Sequence, residues 1–198
     1  MFTQRDEEPY IMKFFKNVST GRFLDIGAFD GQCFSTTRAL ALKGWGGVCV
    51  EPSPSALPAL RKRYEDSKIV HILDTAIYET SGMVDFFDSG GDMISSVNTD
   101  HVEKWKAKAG CKFTKIQVPC LSVNDLFEKV GYDFNFISLD VEGTNFEIIS
   151  KFPFDKLQAT KMICVEFDHQ QKAITELMSP FGYVLLHRTS ENLIMTRV

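Results

Sequence analysis

The sequence predicts a doubly wound α/β domain with a mostly parallel sheet, and three observations support this fold class. The chain has 198 residues, and domains hold roughly 100–200 residues, so 1–198 is expected to form a single domain. Short apolar runs alternate with segments of helical periodicity, a pattern typical of βαβ units. The last two apolar runs, Tyr183 to His187 and Leu193 to Arg197, lie too close together for a crossover helix, so they are predicted to form an antiparallel hairpin.

The first predicted element is an amphipathic helix within residues 1–20. From Pro9 to Val18, apolar side chains recur at helical spacing, at Ile11, Phe14 and Phe15. This spacing places them on one face of a helix, which we expect to pack against the sheet.

After this helix, predicted strands and helices alternate regularly. The predicted elements are a strand at 22–26, a helix at 32–43, a strand at 47–50, a helix at 54–64 and a strand at 69–73. Gly44 follows the first of these helices as a C-terminal stop. Ser53 and Pro54 open the second, as an N-cap residue and a proline in the first turn.

Residues 77–119 break this rhythm and are predicted to form an insertion beside the sheet. Within it, 83–87 and 115–118 are expected to be extended, and 101–109 is expected to be helical. Alternation then resumes, with helices at 123–130, 144–152 and 171–178 and strands at 134–139 and 162–166. The predicted sheet therefore ends in parallel strands followed by the antiparallel hairpin.

Composition and charge limit the possible partners and location. Lys and Arg number 22 and Asp and Glu number 26, a formal net charge of −4, which counts against a dedicated nucleic-acid binder. Five cysteines include no CxxC pair, as expected of reduced thiols. No apolar run approaches the roughly 18–20 residues of a membrane span, and the first residues lack a signal-peptide pattern. We therefore expect a soluble, cytoplasmic protein.

The first predicted strand runs into a glycine turn with the sequence D-I-G-A-F-D-G at 25–31. This is where an open α/β sheet binds its ligand. Gly27 lets the backbone turn sharply, and Gly31 lets the start of the following helix approach the bound ligand closely. A dinucleotide fingerprint would need glycines at Phe29 and Gln32, so a pyrophosphate fits this turn poorly.

Acidic side chains flank the turn instead. Asp25 and Asp30 would repel phosphate and attract the ammonium and sulfonium groups of S-adenosylmethionine. Glu51 follows the second strand, roughly 20 residues past the turn, where a carboxylate can accept from both ribose hydroxyls. That signal is shared with NAD. Asp74, followed by Thr75 and Ala76, comes after the third strand and is expected beside the adenine.

Two motifs carry a family resemblance. The run F-I-S-L-D-V-E-G-T-N-F-E-I-I at 136–149 resembles the D-V-E-G hallmark of FkbM-type methyltransferases, and E-P-S-P at 51–54 is similar to their E-P-x-P. The resemblance implies a seven-stranded Rossmann-like sheet with S-adenosylmethionine as the cofactor. The predicted cofactor contacts are Asp25, Gly27, Asp30, Gly31, Ser35, Glu51, Pro52, Asp74, Thr75, Ala76 and Asp140.

The resemblance also implies methyl transfer to a hydroxyl of a small molecule, sugar or lipid. A carboxylate near the hydroxyl proton would serve as general base. Asp140 is the first candidate, with holding of the methionine amino group as its rival role. Glu142 and Glu166 are the next candidates, although Glu142 could instead cap a helix. No metal is included in the predicted site, with Mg²⁺ held by Asp140, Glu166 and Asp168 as an alternative. His169 is interpreted as a surface turn residue.

Two other functions stay open from the sequence. An RNA ribose 2'-O-methyltransferase would need a Lys-Asp-Lys-Glu set. Lys13 or Lys16, Asp140 and Glu166 supply three members, but the second lysine has no candidate. The other possibility is a non-catalytic module that binds S-adenosylmethionine.

Overall fold

A computed structural model describes residues 1–197, which form ten strands and seven α-helices. The strands are β1 (Arg22–Ile26), β2 (Gly46–Val50), β3 (Val70–Leu73), β4 (Ala76–Tyr78), β5 (Gly82–Asp88), β6 (Thr114–Ser122), β7 (Phe136–Leu139), β8 (Met162–Glu166), β9 (Tyr183–Arg188) and β10 (Asn192–Arg197). The helices are α1 (Glu7–Phe14), α2 (Arg38–Leu42), α3 (Leu57–Arg63), α4 (Thr99–Ala109), α5 (Val123–Val130), α6 (Asn145–Ile149) and α7 (Gln171–Met178).

Seven strands form the main sheet in the order β3-β2-β1-β7-β8-β10-β9. The first five of these are parallel, and β10 runs antiparallel to both β8 and β9. The fold class and the C-terminal hairpin predicted from the sequence are confirmed. The strand order reverses between β1 and β7, so the carboxyl ends of these two strands border the crevice where such sheets bind ligands.

Helices cover both faces of this sheet. Alternate residues of β1 point to opposite faces of the sheet. Phe23 packs with the apolar side chains of α1, α2 and α3 on one face. Leu24 packs with those of α5, α6 and α7 on the other face. Both side chains are fully buried, and each such burial contributes about 1.5–3 kcal/mol. This double burial explains why the central strands read as apolar runs rather than as alternating patterns.

Helix α2 begins six residues later than predicted, at Arg38 rather than at position 32. Polar side chains bind the backbone N–H groups that a helix would use. Asp30 Oδ1 accepts from the Gln32 and Cys33 nitrogens at 2.8 and 2.7 Å. Ser35 Oγ accepts from the Arg38 nitrogen at 3.1 Å. These bonds hold residues 32–37 as an irregular segment.

Smaller differences occur at other element ends. Helix α1 spans Glu7–Phe14 rather than positions 9–18, and α6 ends at Ile149 rather than at position 152. Helix α3 begins at Leu57, because the segment after Pro54 first forms a turn whose N–H groups bond to the Ser53 carbonyl. Strand β7 begins at Phe136, two residues later than expected.

The segment predicted as an insertion builds a second sheet and the helix α4. Strand β6 lies between β4, to which it is parallel, and β5, to which it is antiparallel. Two side chains join this unit to the loop after β7: Ser96 Oγ donates to the Glu142 carbonyl at 2.7 Å, and Asn98 Nδ2 donates to the Gly143 carbonyl at 2.7 Å. The insertion therefore holds the loop that carries Glu142.

Within residues 1–197, no helix is both long enough and apolar enough to span a lipid bilayer.

Candidate active site

A cavity of about 470 Å³ opens at the carboxyl ends of β1, β7 and β8. This volume lies within the range of about 300–1,000 Å³ that small-molecule sites occupy. Its wall is strongly acidic, and the carboxylates that line it are Asp25, Asp140, Glu142, Glu166, Asp168 and Glu191. We call this space the acceptor cavity.

A narrower cleft of about 60 Å³ adjoins it at the carboxyl end of β2. Six of the predicted cofactor contacts line this cofactor cleft: Gly27, Glu51, Pro52, Thr75, Ala76 and Asp140. Gly27, Asp140 and Glu142 line both spaces, so they stand where the two meet. Met93, in the segment between β5 and α4, also borders both and narrows the cleft.

The glycine turn brings two backbones into direct contact. Gly27 has a φ of +87°, and a Cβ atom at this position would lie 1.7 Å from the Asp140 carbonyl oxygen. The Gly27 and Ala28 nitrogens both donate to the Val50 carbonyl, at 3.0 and 3.1 Å. Only glycine permits this approach, and Gly27 lies at the boundary between the cofactor cleft and the acceptor cavity.

Glu51 is the predicted cofactor contact whose surroundings are best defined. Its side chain is buried, and its two oxygens accept from the Phe29 and Ser53 nitrogens at 2.7 and 2.8 Å. Burial raises the pKa of Glu51 to about 7, against the lowering effect of these two bonds. Each carboxylate oxygen can accept more than one hydrogen bond. The residues therefore fit the ribose diol of an adenosine ligand.

Asp25 and Ser35 lie at the edge of the acceptor cavity in a polar network. Thr37 Oγ1 donates to Asp25 Oδ2 at 2.6 Å, and Thr36 Oγ1 donates to Ser138 Oγ at 2.7 Å. Burial raises the pKa of Asp25 to about 6. The hydroxyl groups hold this carboxylate in place beneath the cavity.

Three other predicted contacts lie outside both spaces. Asp30 caps the turn that follows it. Gly31 packs against α3, since a Cβ there would be 2.8 Å from Leu60 Cδ1. Asp74 forms an exposed ion pair with Arg61. Local structure accounts for each, and their contact with the cofactor stays a prediction.

Three carboxylates meet where the two spaces join, and we call them the carboxylate cluster: Asp140, Glu142 and Glu166. One oxygen from each lies within 4.8 Å of the others. Burial, strengthened by repulsion from neighbouring carboxylates, raises the pKa of all three above the usual carboxyl range. Asp140 Oδ1 is buried without a hydrogen-bond partner among residues 1–197.

Asn145 braces this cluster, and the sequence reasoning assigned it no role. Its side chain is fully buried. Its Nδ2 donates to Glu166 Oε2 at 2.8 Å and to Asp168 Oδ2 at 2.9 Å, and its Oδ1 accepts from the Val141 nitrogen at 2.9 Å. The sequence signal that could have identified Asn145 was a polar side chain beside apolar neighbours at the start of a helix.

His101 was also missed. It comes from α4, and its side chain is only 9% exposed. Its Nε2 lies 3.5 Å from Glu142 Oε2 and has no hydrogen-bond partner in the part of the chain described. Burial lowers the pKa of His101, so the ring is neutral at pH 7. The contact between His101 and Glu142 could not be predicted, because local sequence patterns do not show what an inserted helix packs against.

Backbone strain concentrates in the acceptor cavity. Across residues 1–197, the non-glycine residues with positive φ are Phe29, Phe34, Glu142, Asp168 and His169, and all of them line this space. Strained backbone of this kind clusters at functional sites. His169, interpreted from the sequence as a surface turn residue, is exposed and lies in a turn, and it also lines the cavity.

The structure does not gather the lysines proposed from the sequence for an RNA-type site. Neither Lys13 nor Lys16 lines either space, whereas Lys104 and Lys108 of α4 line the acceptor cavity. The predicted capping role of Glu142 is not seen either, since within the described chain its side chain makes no hydrogen bond to α6 and instead faces His101.

Solved structures share this backbone arrangement. Monomeric WbdD superposes with a TM-score of 0.54 at 12% identity, covering 98% of this chain, which spans 41% of the WbdD chain. Precorrin-6y C5,15-methyltransferase from Geobacter metallireducens GS-15 gives 0.52 at 12% identity, covering 98% and 88% of the two chains. Streptococcus pneumoniae Sp1610, a proposed tRNA (m1A22) methyltransferase in complex with S-adenosyl-L-methionine, gives 0.53 at 8% identity, covering 98% and 72%. At such identities the likeness shows the fold alone.

Comparison with curated protein sequences found no match. The family profile of the methyltransferase FkbM domain matches residues 25–185, which include the glycine turn, Glu51 and the carboxylate cluster. The chain therefore belongs to the FkbM methyltransferase family, and it is an S-adenosylmethionine-dependent methyltransferase.

Proposed function

We propose that this methyltransferase acts on a hydroxyl oxygen of a small molecule, sugar or lipid. The observation that carries the proposal is the position of Asp140, where the cofactor cleft meets the acceptor cavity, with Oδ1 buried and unpartnered in the described chain. A hydroxyl is a weak nucleophile and must lose its proton as it attacks. Asp140 offers a free acceptor at that point.

Different residues of the chain would bind different parts of the cofactor. When bound, S-adenosylmethionine supplies an electrophilic methyl group on a cationic sulfur. Glu51 would hold the ribose, Thr75 and Ala76 would flank the adenine, and Gly27, which lines both spaces, would lie beside the chain that links ribose to sulfur. The acidic wall favours a cationic cofactor over a diphosphate.

The catalytic work falls mainly on positioning. Holding the hydroxyl and the methyl donor in line can lower the barrier by about 7–11 kcal/mol. Asp140 accepts the hydroxyl proton, which adds about 10²–10⁴-fold. Glu166 lies beside Asp140, and Asn145 fixes its carboxylate. This brace keeps the cluster in one arrangement while the acceptor binds.

The acceptor cavity favours a small polar acceptor with an apolar face. Partly exposed Trp105 lines the wall that α4 provides, and Phe34 and Phe167 line other parts of it. Aromatic faces stack on the apolar faces of rings, whereas the carboxylates accept from hydroxyl groups. A sugar-like molecule combines both features.

The test is methyl transfer from tritiated S-adenosylmethionine to a panel of sugars, hydroxylated lipids and RNA. We expect label on a non-nucleic-acid hydroxyl compound and at least about 10²-fold slower transfer by Asp140→Asn. Asp155→Asn, at an exposed carboxylate outside both spaces, serves as the matched control. Transfer to RNA ribose, or tight cofactor binding with no transfer at all, would support the two alternative functions instead.

A further inference from the structure

We infer that the carboxylate cluster of Asp140, Glu142 and Glu166 is a binding site for one hard divalent cation of the Mg²⁺, Mn²⁺ or Ca²⁺ class. One oxygen from each residue lies within 4.8 Å of the others. Ligand distances of about 2.0–2.1 Å for Mg²⁺ and about 2.3–2.6 Å for Ca²⁺ place opposite ligands roughly 4–5 Å apart. The three oxygens can therefore share one ion with little movement of the backbone.

Two unpartnered atoms point to a ligand that the protein itself does not supply. His101 Nε2, on a side chain more than nine-tenths buried, faces Glu142 Oε2 at 3.5 Å and has no hydrogen-bond partner within residues 1–197. Asp140 Oδ1 is buried and equally unpartnered there. Buried polar atoms are nearly always satisfied. A cation would satisfy the carboxylate, and a cation-bound water would form a hydrogen bond with the imidazole.

The surroundings favour positive charge. Asp25, Asp168 and Glu191 line the same cavity as the cluster, and Lys104, Lys108 and two histidines are the cationic or titratable groups facing it. Oxygen ligands on a dominantly acidic wall suit a hard cation. Asn145 orients Glu166 and Asp168, as residues behind a metal's ligands commonly do.

Binding of the cation stands apart from the proposed function, but its part in turnover rests on that function. A hydroxyl oxygen that contacts a divalent cation loses its proton more readily. In the transfer, the carbon–sulfur bond breaks as the carbon–oxygen bond forms, and the hydroxyl proton passes to a cluster carboxylate. The cation would then help to activate the acceptor hydroxyl, which Asp140 alone would activate when no cation is bound.

The test measures binding without cofactor or acceptor. The 198-residue chain is stripped with EDTA, desalted and titrated with Mn²⁺. Binding is measured by the loss of the free-ion electron paramagnetic resonance signal and by thermal unfolding. We expect one Mn²⁺ per chain, a raised melting temperature, and competition by Mg²⁺ or Ca²⁺. Glu142→Gln and Glu166→Gln should each weaken binding by at least about tenfold. Glu147→Gln, at an exposed position of α6, should leave binding unchanged.

Two results would overturn the inference: no Mn²⁺ bound at millimolar concentration, or the same affinity in either cluster variant as in the unmodified protein. Each glutamine keeps the shape of the side chain it replaces, so both variants should keep their circular dichroism. If Mn²⁺ binds as expected but no hydroxyl is methylated, the proposed function fails while the cation site stands.

Discussion

Glu51 couples pH to stability at the scale of a single residue. Its carboxyl is buried in the folded chain, and burial raises its pKa from 4.5 to about 7. Between these values the unfolded chain has released this proton and the folded chain has kept it. The contribution of Glu51 to folding is therefore fully present below about pH 4.5 and is lost as pH rises towards about 7.

The expected consequence is a pH-dependent difference between the unmodified protein and Glu51→Gln. Without cofactor, the free energy of unfolding of the unmodified protein should fall between pH 4.5 and 7 by about 3 kcal/mol more than that of the variant. Urea unfolding at a series of pH values measures this. Parallel pH profiles would mean that Glu51 titrates normally in the folded chain.

Asn145 is the second residue whose contacts give a sharp expectation. Asn145→Ala leaves the Val141 nitrogen and two carboxylates without their partner. We expect the free energy of unfolding at pH 7 to fall by about 2–4 kcal/mol, because unsatisfied buried groups carry their full desolvation penalty. Asn124→Ala, at an exposed position in α5, is the control. A loss no larger than that of the control would show that the Asn145 hydrogen bonds do not stabilise the fold.

At the scale of elements, Gly27 decides how closely the ends of β1 and β7 approach. Gly27 and Gly44 have similar positive φ angles, so alanine at either position would strain the backbone to a similar extent. A Cβ at Gly27 would also clash with the Asp140 carbonyl, whereas one at Gly44 would meet nothing within 4 Å. Gly44→Ala should destabilise by about 1–2 kcal/mol through backbone strain alone. Gly27→Ala should destabilise by more than about 4 kcal/mol. Equal losses in urea unfolding would contradict the close approach.

The elements also show where local patterns stop being informative. The start of α2 could not be predicted from apolar spacing, because the side chains of Asp30 and Ser35 redirect the backbone of 32–37. The role of α4 was hidden for a different reason. His101 reaches Glu142 only because Ser96 and Asn98 tie the insertion to the loop after β7, and such long-range contacts have no local signature.

At the scale of the whole molecule, the prediction succeeded where topology follows from simple rules. Parallel strands need crossover helices, and a short connection at the end of the chain requires a hairpin. The carboxyl ends of parallel strands share one edge, so Asp25, Glu51, Asp140 and Glu166 could be grouped from sequence alone. What the rules could not give was the part of the insertion that lines the acceptor cavity, which is the helix α4 together with Met93 and Ile94.

The most direct test of the account follows an isotope rather than a rate. S-adenosylmethionine labelled with ¹³C in its methyl group is incubated with the protein and the hydroxyl-containing panel, and the product is read by NMR. We predict a label on oxygen, in a yield that falls sharply for Asp140→Asn and is unchanged for Asp155→Asn. A label on carbon or nitrogen, or undiminished transfer by Asp140→Asn, would contradict a hydroxyl acceptor activated at Asp140.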